Sequence, residues 1–322
     1  MGVDYSGTHA TPRADLGGAV MEFIGDNDEF IATRALPILP VDEQAGNFSA
    51  ITRECLTKVV DVKRAPRAEY NEDGIEAVDM QYACEEYGLV GLLDDSERRK
   101  YASDFDAEEA TVLATTRRIL LAQEIRAATL LFNTSTWTGA SLYTDTSSSA
   151  PWTTTTSAVK AAIDTAREKV RALTGMLPNA MLINHTNFIR LKSLDDVIDA
   201  VKYTAAATDA QIAGMLAAYF GLEKILVGKA VYNTAKEGKA FASGNVWSNL
   251  YALLAVIPND GANLKVPAVG RTCRWNADCP ENTVVEQYRV EPKRSEAYRV
   301  RQNVDELVID ASFGHLLKVA AS

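Results

Sequence analysis

The chain of 322 residues is predicted to be an α+β protein, with helices and strands in different stretches of the sequence. Three observations predict this class. Apolar residues recur with helical spacing over residues 106–132 and alternate with polar residues in part of residues 54–92. Short strand-like and helix-like runs follow one another over residues 157–258. Residues 266–320 then return to β character.

Residues 106–132 form the clearest predicted helix. Asp106 and Glu109 resemble a capping box at its start, and its length would be about 40 Å. Its apolar side chains form one stripe that should face a core: Ala110, Leu113, Ala114, Leu120, Leu121, Ala128 and Leu131.

Residues 54–92 are predicted to form a long β-hairpin. Leu56, Val60 and Val62 fall on one face of its first strand. On its second strand apolar residues alternate with polar ones: Val78, Met80, Tyr82 and Cys84. A lone two-stranded hairpin is only marginally stable in water, so this one should rest on another surface.

Residues 1–50 are predicted to be an arm. The segment is acidic and largely non-periodic, and Pro37 and Pro40 would stop a helix. Isolated apolar residues recur every few positions, which suits a strap laid over another surface: Val20, Met21, Phe23, Ile24, Phe30, Ile31, Leu36, Ile38 and Leu39.

Residues 157–258 are predicted to form a compact unit of helices on a small sheet. The expected helices are residues 157–174, 186–191, 194–203 and 209–220. The expected strands are residues 180–183, 225–227, 230–232 and 250–257. Four more strands are expected after this unit, at residues 284–290, 297–300, 306–309 and 314–319.

The chain is acidic, with 33 Lys+Arg, 43 Asp+Glu and a formal net charge of −10. Residues 1–110 account for −14 of this charge, and the rest of the chain carries +4. A basic nucleic-acid-binding domain is therefore excluded. The asymmetry indicates that the first third meets a partner or solvent differently from the remainder.

The sequence contains no complete catalytic, phosphate-binding or metal-binding motif. The histidines lie far apart, HExxH, GxSxG and phosphate-loop motifs are absent, and the four cysteines lack CxxC spacing. We therefore predict no catalytic, cofactor-binding or metal site, and cysteines that are free thiols. The longest apolar run, Leu250 to Ile257, is too short to span a membrane.

The order of acidic arm, long hairpin, long helix, α/β unit and returning β segment resembles the major capsid protein of tailed bacteriophages, the Hong Kong 97 fold. The local matches are DFDAEEATVLATTRRILLAQEIRAATLLFN as spine helix, PNAMLINHTNFIRLKSLDDVIDAVKY at the start of the axial domain, and AAYFGLEKILVGKAVYNTA with SNLYALLAVIP as later axial strands. The resemblance implies an N-terminal arm (1–52), an extended loop (53–102), a peripheral domain with the spine helix (103–155), an axial domain (156–258) and a return to the peripheral domain (259–322).

The resemblance also implies a structural subunit that forms hexamers and pentamers of an icosahedral head around double-stranded DNA. Expected partners are other copies of the chain, a separate scaffolding protein, a portal, a decoration protein in some heads, and packaged DNA that is contacted weakly. Such a protein is part of the virion, is assembled in the bacterial cytoplasm, and needs no cofactor or membrane. Basic residues between 111 and 204 either face the shell interior or are solvated helix residues.

The arm and the hairpin turn supply the candidate inter-subunit contacts. We expect the basic side chains of the turn to pair with acids of another subunit, which would set register more than affinity. The candidates are Lys63, Arg64, Arg67, Glu69, Glu72, Asp73, Phe23, Ile24, Phe30 and Ile31.

Two other functions stay open at this point. An encapsulin-like nanocompartment shell has the same fold and would enclose a cargo protein. A soluble α/β enzyme centred on residues 157–258 would need a pocket with convergent polar groups.

Overall fold

The structure is a computed structural model that describes residues 10–26, 28–102, 104–201 and 208–321. Two β-sheets form its frame, and one long helix contacts the cores of both. The first elements are β1 (Thr11–Pro12), α1 (Ala14–Asp26), α2 (Ala32–Ala35), β2 (Ile38–Val41), β3 (Ala45–Ile51), α3 (Arg53–Thr57), β4 (Ala77–Ala83), β5 (Glu85–Asp94) and α4 (Asp95–Tyr101).

The remaining elements confirm the predicted α+β class. The middle of the chain contains α5 (Ala107–Leu131), β6 (Tyr143–Asp145), α6 (Val159–Thr174), β7 (Ala180–Asn184), α7 (His185–Lys192), α8 (Asp195–Val201), α9 (Asp209–Tyr219), β8 (Lys224–Gly228), β9 (Val231–Asn233), β10 (Ser243–Asn245) and β11 (Tyr251–Ala255). The last strands are β12 (Gly270–Trp275), β13 (Val284–Val290), β14 (Ser295–Val308) and β15 (Gly314–Lys318).

The six-stranded sheet is built around β14. On one side β14 pairs antiparallel with β13 and then β12, and on the other side it pairs antiparallel with β5. β1 adds to β13, and β2 adds in parallel to β12. Helices α1 and α5 cover one face, where Val20, Ile119 and Tyr298 share a core.

The five-stranded sheet has the order β6-β15-β11-β7-β8. Every residue of β7 is buried, as expected for a strand covered on both faces. Ile163 of α6 and Leu216 of α9 pack on one face. On the other face, Leu253 of β11 packs in a core with Leu131 at the end of α5.

Residues 10–50 contain more regular structure than the largely non-periodic sequence pattern predicts. Residues 14–26 form a helix, and β2 is a strand of the six-stranded sheet. Val20, Ile31 and Leu36 are completely buried. The scattered apolar residues complete the subunit's own cores, so this segment belongs to the fold. Residues 1–9 of the predicted arm lie outside the described residues.

The hairpin exists, but its predicted first strand is wrong. The strand that pairs with β4 is β3, in a register that runs from Ala45↔Ala83 to Ile51↔Ala77. β3 pairs with β4 in place of the predicted strand because Phe48 and Ala50 pack with Tyr82 in a small core. Residues 58–76 contain no strand.

The long helix has the predicted extent, and Asp106 caps it by accepting hydrogen bonds from the backbone N–H of Glu108 (2.9 Å) and Glu109 (3.3 Å). The predicted apolar stripe is partly wrong, because Ala110 and Ala114 are exposed. The buried face is Ala107, Val112, Thr115, Thr116, Ile119, Leu120, Gln123, Glu124, Ala127, Ala128 and Leu131.

The end of the chain differs from the prediction in one way. The strands expected at 297–300 and 306–309 are one continuous strand, β14. The last strand, β15, pairs with β11 and β6 in the five-stranded sheet. The segment 259–322 therefore contributes to both sheets.

The prediction of free thiols is confirmed. Cys84, Cys273 and Cys279 are buried, Cys55 is partly buried, and all four are free thiols. Within the described ranges, no helix combines the length and the apolar character that a membrane span needs. Among the same residues, no group of three or more His, Cys, Asp or Glu side chains is arranged to hold a metal ion.

Candidate subunit-contact surface

The most exposed part of the described chain is the loop tip, residues 58–76, which leads from α3 into β4. Every residue from 61 to 79 is exposed to solvent. The Lys58 ammonium closes the base of the tip by donating hydrogen bonds to Asp73 (2.8 Å) and Glu76 (2.7 Å). Lys58 thereby lowers the pKa of the Asp73 carboxyl. The ion pairs of Lys58 with Asp73 and Glu76 therefore hold the two ends of the loop tip together.

Local contacts order the inside of the tip. The Arg64 guanidinium lies 4.5 Å from the centre of the Tyr70 ring and donates to the carbonyl oxygen of Ala68 at 3.1 Å. The Asn71 amide donates to the carbonyl oxygen of Asp61 at 2.6 Å. Such cation–π and side-chain to backbone contacts favour one conformation of the tip over many.

The structure places all six predicted charged residues on this surface. Lys63, Glu69 and Glu72 make no ion pair with any described residue, and Asp73 is held by Lys58. Arg67 has a positive φ of 67°, the left-handed region, and forms with Pro66 the centre of a turn that the Ala68 N–H closes by donating to the Ala65 carbonyl oxygen at 3.1 Å. Most of the charged side chains of the tip are therefore exposed and have no ion pair with a described residue.

The sequence reasoning missed the apolar residues of the tip as contact candidates. Val59 and Val62 are 96% and 92% exposed, Ile75 is 80% exposed and Tyr70 is 74% exposed. Val62 was expected on the inner face of a strand. Four large apolar side chains on a loop of nineteen residues are unusual for a surface that meets only water. The β-branched run around Val60 was the available signal.

The base of the hairpin is fixed to its own subunit. Phe48 and Tyr82 pack with Cys273 of β12. The Ala83 N–H donates to the Asp305 carboxylate at 2.9 Å, and the Arg53 guanidinium of α3 donates to the Ser312 hydroxyl at 2.9 Å. A rigid base therefore carries the exposed tip.

The structure brings two of the four apolar arm candidates, Ile24 and Ile31, to the subunit's own cores. Ile31 is completely buried, so its side chain is unavailable to a neighbour. Ile24 is half-buried and packs against the core under the six-stranded sheet. Phe23 and Phe30 are also half-buried, and the Arg117 guanidinium lies 5.8 Å from the Phe30 ring centre. The arm candidates and the loop-tip candidates do not form one continuous cluster of mutual contacts.

A buried carboxylate ties the arm to the rest of the molecule. Glu124, in the middle of α5, accepts hydrogen bonds from the backbone N–H of Ile31 (2.9 Å) and Ala32 (2.8 Å) and from the Trp247 indole (2.5 Å). Burial raises the pKa of Glu124, although the converging donors oppose that effect. Sequence reasoning missed this joint, because a Glu in a helix is usually solvated.

Comparisons with known proteins support the architecture. No protein-family model matches the chain. The major capsid protein of Burkholderia phage BcepMu is 25% identical over 274 residues, which cover 84% of this chain and 86% of that protein.

Two solved structures show the fold. The structure of a phage-related protein from Bordetella bronchiseptica RB50 has a TM-score of 0.74 and 20% identity, over 97% of this chain and 98% of its own. The capsid of a native GTA particle, computed with C5 symmetry, has a TM-score of 0.56 and 12% identity, over 92% of this chain and 91% of its own.

The chain has the capsid fold of the Hong Kong 97 type, as the sequence predicts. The predicted resemblance to phage major capsid proteins is confirmed. Between the two shell functions, the curated phage relative favours the phage head over a nanocompartment. The boundaries of the five predicted regions stay predictions.

Proposed function

We propose that this protein is the repeating subunit of an icosahedral phage head, in which copies form hexamers and pentamers around double-stranded DNA. The observation that carries the proposal is the loop tip, a long excursion whose large apolar side chains Val59, Val62 and Ile75 remain exposed in the described part of the subunit. A surface of this kind becomes stable when a neighbouring copy covers it.

The tip has the composition of an interface. Val59, Val62 and Ile75 would gain about 1.5–3 kcal/mol each if a neighbour buried them fully. Arg64 and Tyr70 belong to the residue types that are enriched at interface centres. Because Arg64 and Tyr70 already contact each other within the tip, a neighbour would meet these two side chains pre-organised, which lowers the entropy cost of association.

The charged residues of the tip would set the register between copies. Lys63, Arg64 and Arg67 are proposed to face acids of a neighbour, and Glu69 and Glu72 to face its basic residues. Pairs at an exposed rim contribute little affinity, but they reject misaligned arrangements. Of the arm candidates, Phe23 and Phe30 keep exposed surface for such contacts, whereas Ile31 does not.

The finer partners follow from the same proposal. The GTA capsid with C5 symmetry supports fivefold vertices for a subunit of this fold. The virion location, assembly in the host cytoplasm, a separate scaffolding protein, a portal, a decoration protein and weak contact with packaged DNA are proposed on the resemblance to phage capsids.

Excision of the loop tip tests the proposal. Residues 59–75 are replaced by Gly-Gly, which joins Lys58 to Glu76, two residues that already form an ion pair at 2.7 Å. We expect a folded subunit with unchanged cooperative thermal unfolding and a loss of particles. Size-exclusion chromatography and negative-stain electron microscopy measure the particles.

A matched control shortens another exposed turn. Residues 236–240, between β9 and β10, are exposed and are replaced by Gly-Gly in the same way. This control should still form particles. A wild-type protein that stays monomeric under all assembly conditions would overturn the proposed function, and so would particles of normal size and yield from the loop-tip excision.

A further inference from the structure

Strand β5 presents an unusually long free edge. It has ten residues and pairs with β14 along its whole length, from Glu85↔Val304 to Asp94↔Ser295. In the part of the chain that the structure describes, β14 is its only strand partner, and no backbone hydrogen bond from another segment reaches its outer edge between Glu85 and Leu93. This edge is about 33 Å of unpaired backbone.

The side chains on this edge are apolar. Leu89, Val90 and Leu92 are 38%, 38% and 43% exposed. A long apolar edge strand is a template for another strand, and soluble proteins usually shorten, charge or cover it. Here charge stands at the two ends of the strand: Glu85 and Glu86 at its beginning are exposed and have no ion pair with a described residue, and Asp94 is its last residue. The middle of the edge is therefore open to a partner.

The same chain contains a segment with strand composition and no strand partner. Residues 58–64 read KVVDVKR, and β-branched residues of this kind favour strands. In the subunit this segment is not a strand, and Val59 and Val62 are almost fully exposed. In natural sequences, the local preference for helix or strand usually agrees with the folded structure, and a disagreement usually has a functional reason. The reason here is a partner that the single subunit does not supply.

We propose that residues 58–64 of one copy add to β5 of another copy as a seventh, antiparallel strand of the six-stranded sheet. The proposal rests on the proposed function and names the receiving surface for its loop tip. Strand addition of this kind gains backbone hydrogen bonds along the edge and uses side chains for specificity.

The two sequences select one register. When Arg64 stands opposite Glu85 and Lys63 opposite Glu86, Val59 stands opposite Val90. The same register places Val60 opposite Leu89. Opposite charges then face each other and apolar residues face apolar residues, which are the favourable cross-strand pairs. A slip by one residue would move every side chain to the other face of the sheet.

A single copy cannot make this contact with itself. The seven residues of β4 and Cys84 separate the loop tip from the start of β5, a span of more than 20 Å at strand rise. Lys58 is held at the far end of that span by Asp73 and Glu76. Two different surfaces of the chain meet, so the contact is heterologous, and repeated around a closed rotation it generates a ring.

Disulfide trapping tests the pairing. In a Cys55→Ser background, Val59→Cys and Val90→Cys are placed in one chain, and the protein is oxidised after assembly. Opposite residues of paired strands have Cα separations within disulfide range, so we expect a ladder of covalently linked oligomers on a non-reducing gel. The matched control combines Val59→Cys with Glu86→Cys, which lie about 13 Å apart along the strand in the proposed register.

The outcomes separate this inference from the proposed function. We expect about tenfold more linked oligomer in the first pair than in the control pair, because only the first satisfies disulfide geometry. Particles that form without a ladder overturn the strand addition and leave the proposed function intact. Linkage within one chain, or preferential linkage of the control pair, also overturns it. If the unmodified protein forms no particles, the proposed function itself fails.

Discussion

His315 shows how one buried side chain depends on pH. It lies in β15, is completely buried, and has both ring nitrogens hydrogen-bonded. Nδ1 is 2.8 Å from the carbonyl oxygen of Ser141, which can only accept, so Nδ1 carries the proton. Nε2 accepts from the Thr144 hydroxyl at 2.9 Å, and that hydroxyl accepts from the Lys169 ammonium at 2.7 Å. Burial, helped by the Lys169 charge, lowers the pKa of His315 to about 4.

We predict that acid destabilises the subunit through His315. The folded-state pKa is depressed below the ordinary value of 6.5, so the stabilisation is fully present above pH 6.5 and is lost as the pH falls toward 4. The loss is at most about 3 kcal/mol. The variant His315→Gln cannot take up the proton and should lose this part of the pH dependence. Urea unfolding at several pH values between 7.5 and 4 measures it, and parallel pH profiles for both proteins would contradict the prediction.

At the scale of elements, the contact between α5 and β5 depends on a missing side chain. A Cβ atom on Gly91 would lie 2.6 Å from the Thr115 hydroxyl oxygen and 2.7 Å from the Thr111 methyl carbon. Both distances are too short for real contacts, so the helix can lie this close to the strand only over glycine.

We predict that Gly91→Ala lowers the free energy of unfolding by about 1–3 kcal/mol, the usual cost of overpacking. Adding Thr115→Ala removes one of the two contacting groups and should restore part of the loss. The control is Gly74→Ala on the loop tip, where a Cβ atom meets nothing within 4 Å. Denaturant midpoints compare the three variants, and an unchanged midpoint for Gly91→Ala would refute the close approach.

The helices show which features of the fold can be predicted from the sequence and which cannot. The bounds of α5 and α6 follow from local signals, the Asp106 cap and Gly175 with its positive φ of 74° at the end of α6. The buried stripe of α5 could not be read from apolar spacing. Glu124 is buried there because it accepts a hydrogen bond from Ile31 of another segment, a partner that depends on tertiary structure. Thr116 is buried because its hydroxyl donates to the carbonyl oxygen of Val112, one turn earlier in the same helix.

The prediction of the hairpin's first strand failed for a related reason. The run around Val60 has the stronger strand composition, but pairing depends on which segment can bury its inner face. Phe48 and Ala50 of β3 reach a core beside β12, whereas Val59 and Val62 reach none within the subunit. The charged half of the candidate surface was predictable, because Lys63 and Glu72 lie among turn residues. The apolar residues of this surface, such as Val59 and Val62, were not predicted as contacts, because a β-branched run was assumed to pair within its own chain.

At the scale of the whole molecule, the acidic excess of the first 110 residues has more than one use. Asp94 caps α4 by accepting from the Ser96 N–H at 2.7 Å, and Asp106 caps α5. The Asp95 carboxylate forms a bidentate ion pair with the guanidinium of Arg289 in β13, with N···O distances of 2.7 and 2.8 Å. Part of the charge therefore supports the fold. Glu69 and Glu72 at the loop tip and Glu85 and Glu86 at the start of β5 are exposed acids that have no ion pair with a described residue.

The described part of the arm is equally a structural part of the whole. It supplies β2 to the six-stranded sheet, and its backbone N–H groups at Ile31 and Ala32 satisfy the buried Glu124 carboxylate. Deleting it would leave that carboxylate with only the Trp247 indole as a donor, and an unsatisfied buried charge is strongly destabilising. The arm and the loop tip should therefore respond to deletion in opposite ways.

We predict that removal of residues 1–41 unfolds the subunit, whereas excision of the loop tip does not. Val20, Ile31 and Leu36 are completely buried, and their loss costs about 1.5–3 kcal/mol each, against a total stability of about 5–15 kcal/mol. The lost strand pairing and the orphaned carboxylate add to this cost. Circular dichroism and thermal unfolding of the truncated chain should show no cooperative transition. A soluble truncated subunit that melts cooperatively at the wild-type temperature would show instead that the arm serves assembly alone.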